Sequence, residues 1–291
     1  MTFSICAGAD QFVELPKLGV YDCGATSPCS PPPLASPGMD PALLNQYRED
    51  GYFVVRDLLG LDEVEAICQQ ITRVVNQHPA VPEELIQMEP AVASGEKTAE
   101  SLELGVRKLF RVAKHNAFFR QLASHESLVA IARELIGPDI LLIQSMTLMK
   151  PPGVSVEKIW HQDNAYFRVD PPDLFGLWIA CDEATVENGC MHVMPGSHLG
   201  GIVEHAGPGD LYGATTIPQV EEVVAIPLSP GDALVFHGEL LHFTPPNQTA
   251  SRRRAVQYHY VSGTVTRRGN GNPFDYDPEA VIAGRNEIKR I

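Results

Sequence analysis

The chain has 291 residues, 44% hydrophobic and 20% charged, which is enough apolar material for one large domain or two modest ones. Its 36 acidic against 22 basic side chains give a formal charge of −14, and this argues against a nucleic acid or an anionic membrane as partner, since either needs a basic footprint. The "SRRRA" run, Ser251 to Ala255, is the one local exception, and no apolar stretch reaches the roughly 20 residues of a membrane span.

Taken in chain order, residues 1–38 are rich in Gly, Pro, Ser and Cys and read as an irregular leader. No basic segment followed by a long apolar run marks a signal peptide, so a cytoplasmic protein is expected. Asp40 can cap a helix with Pro41 at its first position, and Asp50-Gly51 stops it. "YFVVRDLL", Tyr52 to Leu59, reads as a strand. Asp62 and Glu65 form a capping-box pattern for a second helix, along which Val64, Ile67, Cys68, Ile71, Val74 and Val75 recur at helical spacing. The segment from Pro79 to Glu103 reads as a long loop with short turns. Glu126 to Ile136 is a third helix, ended by Gly137-Pro138.

Beyond that point the periodicity changes. "DILLIQSMTLMK", "LFGLWIACDEA", "GCMHVMPGSH", "EEVVAIPLSPGDALVFHG" and "RRAVQYHYVSG" are short strand-like runs separated by Pro, Gly, Asn and Asp. Helices followed by many short strands predict a mainly β (α+β) domain over residues 39–291. Its frame would be an antiparallel double-sheet barrel, a jelly roll, with the N-terminal helices packed on one sheet. Of six cysteines, Cys68 and Cys181 fall on apolar stretches and read as buried thiols, whereas Cys23 and Cys29 stand in a Pro/Ser-rich stretch and could pair.

The chemistry centres on "IWHQDNAYF", Ile159 to Phe167. On an extended segment His161 and Asp163, two apart, would share one face. Such a pair alone is common; a second histidine would complete the two-histidine, one-carboxylate set that binds non-haem iron. His237 and His242 in "GDALVFHGELLHFTPPNQT" both qualify. Downstream, Arg252, Arg253 and Arg254 open another strand. Alternation places Arg253, Ala255, Gln257 and His259 on one face, suited to a polar lumen. Arg254, Val256, Tyr258 and Tyr260 fall on the other, suited to packing.

The runs "HQD", "GLWIACDEATVENGCMHVMPGSH" and "GDALVFHGELLHFTPPNQTASRRRAVQYHYV" together resemble the phytanoyl-CoA dioxygenase family, particularly its domain-containing members, from about Asp40 to Gly263. That resemblance implies a double-stranded β-helix and an oxygenase using Fe(II), 2-oxoglutarate and O2. It makes His161, Asp163 and His242 the iron ligands and Arg253, eleven residues after His242, the partner of the 2-oxoglutarate carboxylate. Met146, Trp178, Lys108 and Thr244 match further co-substrate positions, and Gln144 shares a face with Met146. Asp163 speaks for hydroxylation over halogenation, because related halogenases carry a small residue there. Phe167 and His192 are candidate substrate contacts, and residues 205–216 a candidate lid.

The expected activity is hydroxylation, or a related oxidation, of a small or medium organic molecule, with release of succinate and CO2. An acyl-CoA substrate ranks lower, because beyond the arginine run no basic cluster presents itself to phosphates. A cupin-type metal protein without oxygenase activity is the third reading, and it would have no need of Arg253.

Overall fold

A computed structural model of the protein describes residues 39–77, 81–216, 223–267 and 279–284. The expected leader, with Cys23 and Cys29, lies outside the described residues. Among these, no helix is long and apolar enough to cross a membrane.

The N-terminal third carries most of the helix. Helix α1 (Pro41–Asp50) begins as expected, with the Asp40 side chain accepting from Ala42 N–H at 2.9 Å, and ends at Gly51 in the left-handed region, φ 83°. Strand β1 (Tyr52–Val55) is half the expected length, because Asp57 turns the chain at φ 51° and Asp232 fixes that turn. Helix α2 (Leu61–Asn76) buries all six periodic residues, and each buried Val or Ile contributes about 1.5–3 kcal/mol. Its cap lies earlier than expected: the Glu63 carboxylate, not that of Glu65, accepts from the backbone N–H of Gly60 at 2.8 Å.

The long-loop expectation for 79–103 is corrected in part. Strand β2 (Ile86–Met88) and a single-turn helix α3 (Pro90–Ala93) form there, and β2 pairs with β3 (Val106–Phe110). Three residues of strand are too few for periodicity to betray them. Helices α4 (Val112–His115) and α5 (Ala117–Ala123) also escape the sequence pattern, while α6 (Glu126–Ile136) has the expected bounds.

The remainder is strand. In order come β4 (Ile140–Lys150), β5 (Lys158–His161), the short helix α7 (Asn164–Phe167), β6 (Val169–Asp170) and β7 (Leu174–Ala180). Then follow β8 (Met191–Val193), β9 (His205–Ala206), β10 (Gly213–Ala214), β11 (Val224–Ile226), β12 (Ala233–His237), β13 (His242–Thr244), β14 (Arg253–Ser262), β15 (Thr266–Arg267) and β16 (Ala280–Ala283). The major sheet runs β1-β12-β7-β14-β4-β3-β2, with β16 on β4; the minor sheet runs β11-β8-β13-β5. All pairings are antiparallel, and the fold is a jelly roll without a closed barrel.

Alternation divides the major sheet into two faces. Leu177, Ile179, Val235, Val256, Tyr258 and Tyr260 join α2, α5 and α6 in one apolar core. Trp178, Ala180, Leu234, Phe236 and Ala255 turn the other way and pack with Met191, Val193 and Ile226 of the minor sheet. The helices therefore cover one face, and the second face looks into the space between the sheets.

Candidate active site

The "HQD" segment is not one continuous strand. β5 ends at His161, and Asp163 already has helical angles (φ −63°, ψ −38°) at the cap of α7. The expected shared strand face is thus replaced by a strand end followed by a turn, which still brings both side chains to one place. Neighbours pin that turn. Asn164 N–H donates to Gly238 O at 2.7 Å, and the Asn164 amide donates to Val169 O and Glu239 Oε1. Gln162, between the pair, points away: its amide donates to Gly201 O and Glu239 O and accepts from Val203 N–H.

Of the two candidate histidines, His242 faces His161 directly across the β13–β5 ladder, with ring centroids 4.1 Å apart. The two rings are held alike. His161 Nδ1–H donates to Ile159 O at 2.8 Å and His242 Nδ1–H to Leu240 O at 2.9 Å, so each Nε2 turns a lone pair toward the other. Asp163 Oδ1 lies 3.6 Å from His161 Nε2 and 3.9 Å from His242 Nε2. These separations are too long for direct hydrogen bonds and leave room for a cation. All three ligand atoms fall within 4.8 Å of one another, and all three residues are buried. His237 is elsewhere, its ring 5.0 Å from that of His198.

Charge suits the same purpose. Burial, and then each other's proximity, holds His161 well below the usual imidazole range, and burial lowers His242. Both are therefore neutral, as a metal ligand must be. Burial pushes the Asp163 carboxyl up, but His259, His242 and His161 outweigh it and keep the group ionised. Behind His242 the ring of Phe236 stands edge-on at 4.8 Å. Phe236 occupies the space beside Gly176, where a Cβ would collide with the ring. A side chain at 176 would therefore press Phe236 onto His242.

His161, Asp163 and His242 line a cavity of about 270 Å³ between the sheets. Farther along β14, Arg253 is only 2% exposed. One of its nitrogens donates to Gly189 O at 3.0 Å and another to Leu148 O at 3.4 Å. Its Nε has no partner, and its guanidinium lies over the Trp178 ring at 5.2 Å. Burial lowers it to about 10, so it stays charged at neutral pH. A buried guanidinium without a carboxylate is costly, and an anionic ligand is the obvious complement. Its neighbours are spoken for: Arg254 forms a two-pronged pair with Asp182, and Arg252 reaches Glu103 at 2.7 Å.

The other expected site residues are brought together with one exception. Lys108, Gln144, Met146, Phe167, Trp178 and Thr244 all line the cavity; His192 does not, and its ring meets that of Phe243 at 4.8 Å, tilted by 43°. His192 lies off the cavity because β8 is held between β11 and β13 with Met191 turned inward instead. The view that no basic cluster exists outside the arginine run is also corrected. Arg107, Lys108, Lys150, Lys158 and Arg253 share the wall with only Glu89 and Asp163. They come from β3, β4, β5 and β14, so no linear pattern could collect them. Burial, and then Arg253, lowers Lys150 to about 7; its Nζ donates to Val156 O at 2.7 Å. His259 was legible as a lumen residue but not as the partner of Asp163 Oδ2, which it meets at 2.7 Å.

The chain is similar in sequence and fold to proteins of one family. The family model described as phytanoyl-CoA dioxygenase (PhyH) matches residues 47–255. The bovine (Bos taurus) phytanoyl-CoA dioxygenase domain-containing protein 1 is 27% identical over 280 residues, covering 83% of this chain and 96% of its own length. Among solved structures, SnoN, a non-haem α-ketoglutarate-dependent epimerase from nogalamycin biosynthesis, is 26% identical. It aligns with 86% of this chain and 95% of its own at a TM-score of 0.62. EctD from S. alaskensis with bound Fe shares the fold at a TM-score of 0.63 and 22% identity, covering 84% of this chain and 83% of its own.

Proposed function

This chain belongs to the phytanoyl-CoA dioxygenase family, and from that premise we propose that it hydroxylates, or otherwise oxidises, a small or medium-sized organic molecule. It is an oxygenase dependent on Fe(II) and 2-oxoglutarate. When bound, these supply the oxidising chemistry: O2 and 2-oxoglutarate yield succinate and CO2, and one oxygen atom passes to the substrate. The observation that carries the reading is the pairing of the His161, Asp163 and His242 cluster with a carboxylate-free buried arginine on the wall of one cavity.

The chain's own residues have distinct tasks in this reading. His161, Asp163 and His242 would hold the iron. Backbone carbonyls fix both rings, so no reorientation is needed when metal enters. Arg253 takes the far carboxylate of 2-oxoglutarate, and a planar fork suits that group better than a lysine would. Lys108, Met146, Trp178, Thr244 and Gln144 shape the co-substrate's bed. Phe167, whose ring lies 5.4 Å from that of His259, borders the substrate side. Tyr166 donates its hydroxyl proton to Tyr212 O at 2.6 Å, tying α7 to the expected lid segment.

One observation favours a second reading. The cations of the cavity wall suit a substrate that carries negative charge, and this keeps an acyl-CoA thioester in contention. Succinate release from iron-loaded protein, measured across neutral molecules, free carboxylic acids and acyl-CoA thioesters, tests both. Stimulation by one class is expected. Folded, iron-loaded protein that releases no succinate with or without any of them would overturn the activity.

A further inference from the structure

Asp163 offers only Oδ1 to the space between the imidazoles. Its Oδ2 lies 2.7 Å from His259 Nε2, and the same nitrogen lies 3.0 Å from the amide of Gln257. Two polar groups thus meet at one ring nitrogen, and the hydrogens of all three must be assigned together. Asp163, as a carboxylate, can only accept, so His259 Nε2 carries the proton and donates it. His259 Nδ1 is buried without a partner, which suits a lone pair and not a second proton. A donating Nε2 cannot also accept from the Gln257 NH2, since two N–H groups would then face each other. The Gln257 amide must therefore turn Oε1 toward His259 Nε2–H, which sends its NH2 into the cavity that Gln257 lines.

The position of that NH2 is set by the sheet. Gln257 stands opposite Met146 on β4 and Trp178 on β7, on the lumen face, between Arg253 and His259 of its own strand. A molecule reaching from the Arg253 guanidinium to the Asp163 end passes Gln257 on its way. It is 4% exposed, so a donor there faces the cavity and not bulk solvent.

We propose that Gln257 is a ligand-binding residue of this oxygenase, its Oε1 sharing the His259 Nε2–H with Asp163 while its NH2 donates to an oxygen of the bound keto acid. His259 is the positioning residue of the same unit: it occupies Oδ2 and leaves Oδ1 to face the two histidines. This assignment rests on the oxygenase reading above. A glutamate at 257 still accepts from His259 but has no proton for the cavity, whereas a leucine loses both contacts.

The test is anaerobic calorimetry of 2-oxoglutarate into Fe(II)-loaded wild type, Q257E and Q257L, with thermal melts to confirm the fold. Fe(II) affinity is measured separately in the absence of keto acid. Keto-acid affinity is expected to fall about tenfold or more in both variants, with Fe(II) still bound by each. Wild-type affinity in both variants would overturn the assignment alone. So would a loss in Q257L that Q257E restores, since Gln257 would then only buttress His259. Wild-type protein that binds Fe(II) but no 2-oxoglutarate would sink the oxygenase reading as well.

Discussion

The two faces of β14 alternate along one strand and are satisfied to very different degrees. On the outer face Tyr258 donates to Phe119 O and Tyr260 to Ala123 O, each at 2.8 Å, and Arg254 is paired with Asp182. On the lumen face Arg253 Nε and His259 Nδ1 have no partner, nor does Trp178 Nε1 on the adjoining strand. Buried polar groups are nearly always satisfied, so a cluster of exceptions marks either a defect or a place where a ligand belongs. The outer face holds the helices on; the lumen face keeps bonding capacity in reserve for small molecules.

The contrast breaks most visibly at the metal cluster. Replacing Asp163 or His242 with Ala should abolish Fe(II) binding and lower 2-oxoglutarate turnover by about 100-fold or more, since changes one layer out already cost 10–100-fold. Melting should shift by only a few degrees. Next comes the pair of adjacent arginines. R253A should lose co-substrate binding while the fold stays intact, and R253K should recover little. R254A should do the reverse: it exposes Asp182 to loss of its partner, costs about 2 kcal/mol in denaturant unfolding, and leaves 2-oxoglutarate affinity unchanged. If both arginines behaved alike, the division of faces would fail. It would fail in another way if R253A left turnover intact, since the buried guanidinium would then have no part in holding the co-substrate.

Smaller effects sharpen the outer face. Y258F and Y260F should each cost about 1 kcal/mol and leave ligand affinity untouched, as urea midpoints and calorimetry can check. The smallest effect concerns His237. Burial, and then His198, lowers it to about 4, and its Nδ1 accepts from Glu239 N–H at 3.0 Å. The unfolded chain therefore takes up the proton first. The stability it contributes is complete above about 6.5 and is lost as pH falls toward about 4. H237N should flatten part of that acid slope in urea unfolding between pH 7 and pH 5. The buried His161, held well below the usual imidazole range, adds to the same slope.

Legibility followed the same division. Elements with a repeating apolar pattern, such as α2, α6, β4 and β14, were readable because burial imposes a period on the sequence. The alternation of β14 even separated Arg253 from Arg252 and Arg254, which composition alone could not. Elements of three or four residues escaped. β2 and α3 carry too little repeat to register, and the turn between His161 and Asp163 was mistaken for strand. At the site, the residues recoverable from family resemblance were those with fixed spacing. Gln257 and His259 stood on the correct face, but the meeting with Asp163 joins His259 to a residue 96 positions earlier. Likewise His192 was placed in the cavity by its neighbours in sequence, when the ladder between β8 and β13 turns it onto Phe243.

If the His161, Asp163 and His242 cluster and Arg253 serve one co-substrate, each must affect how it binds. Anaerobic titration of the apo-protein with Fe(II) and then 2-oxoglutarate tests it most directly, by the visible charge-transfer band that the keto acid forms on iron. A band that saturates near one equivalent in wild type, disappears in D163A and weakens sharply in R253A is expected. Folded wild-type protein that develops no band, or an R253A protein that develops it at wild-type affinity, would contradict the account.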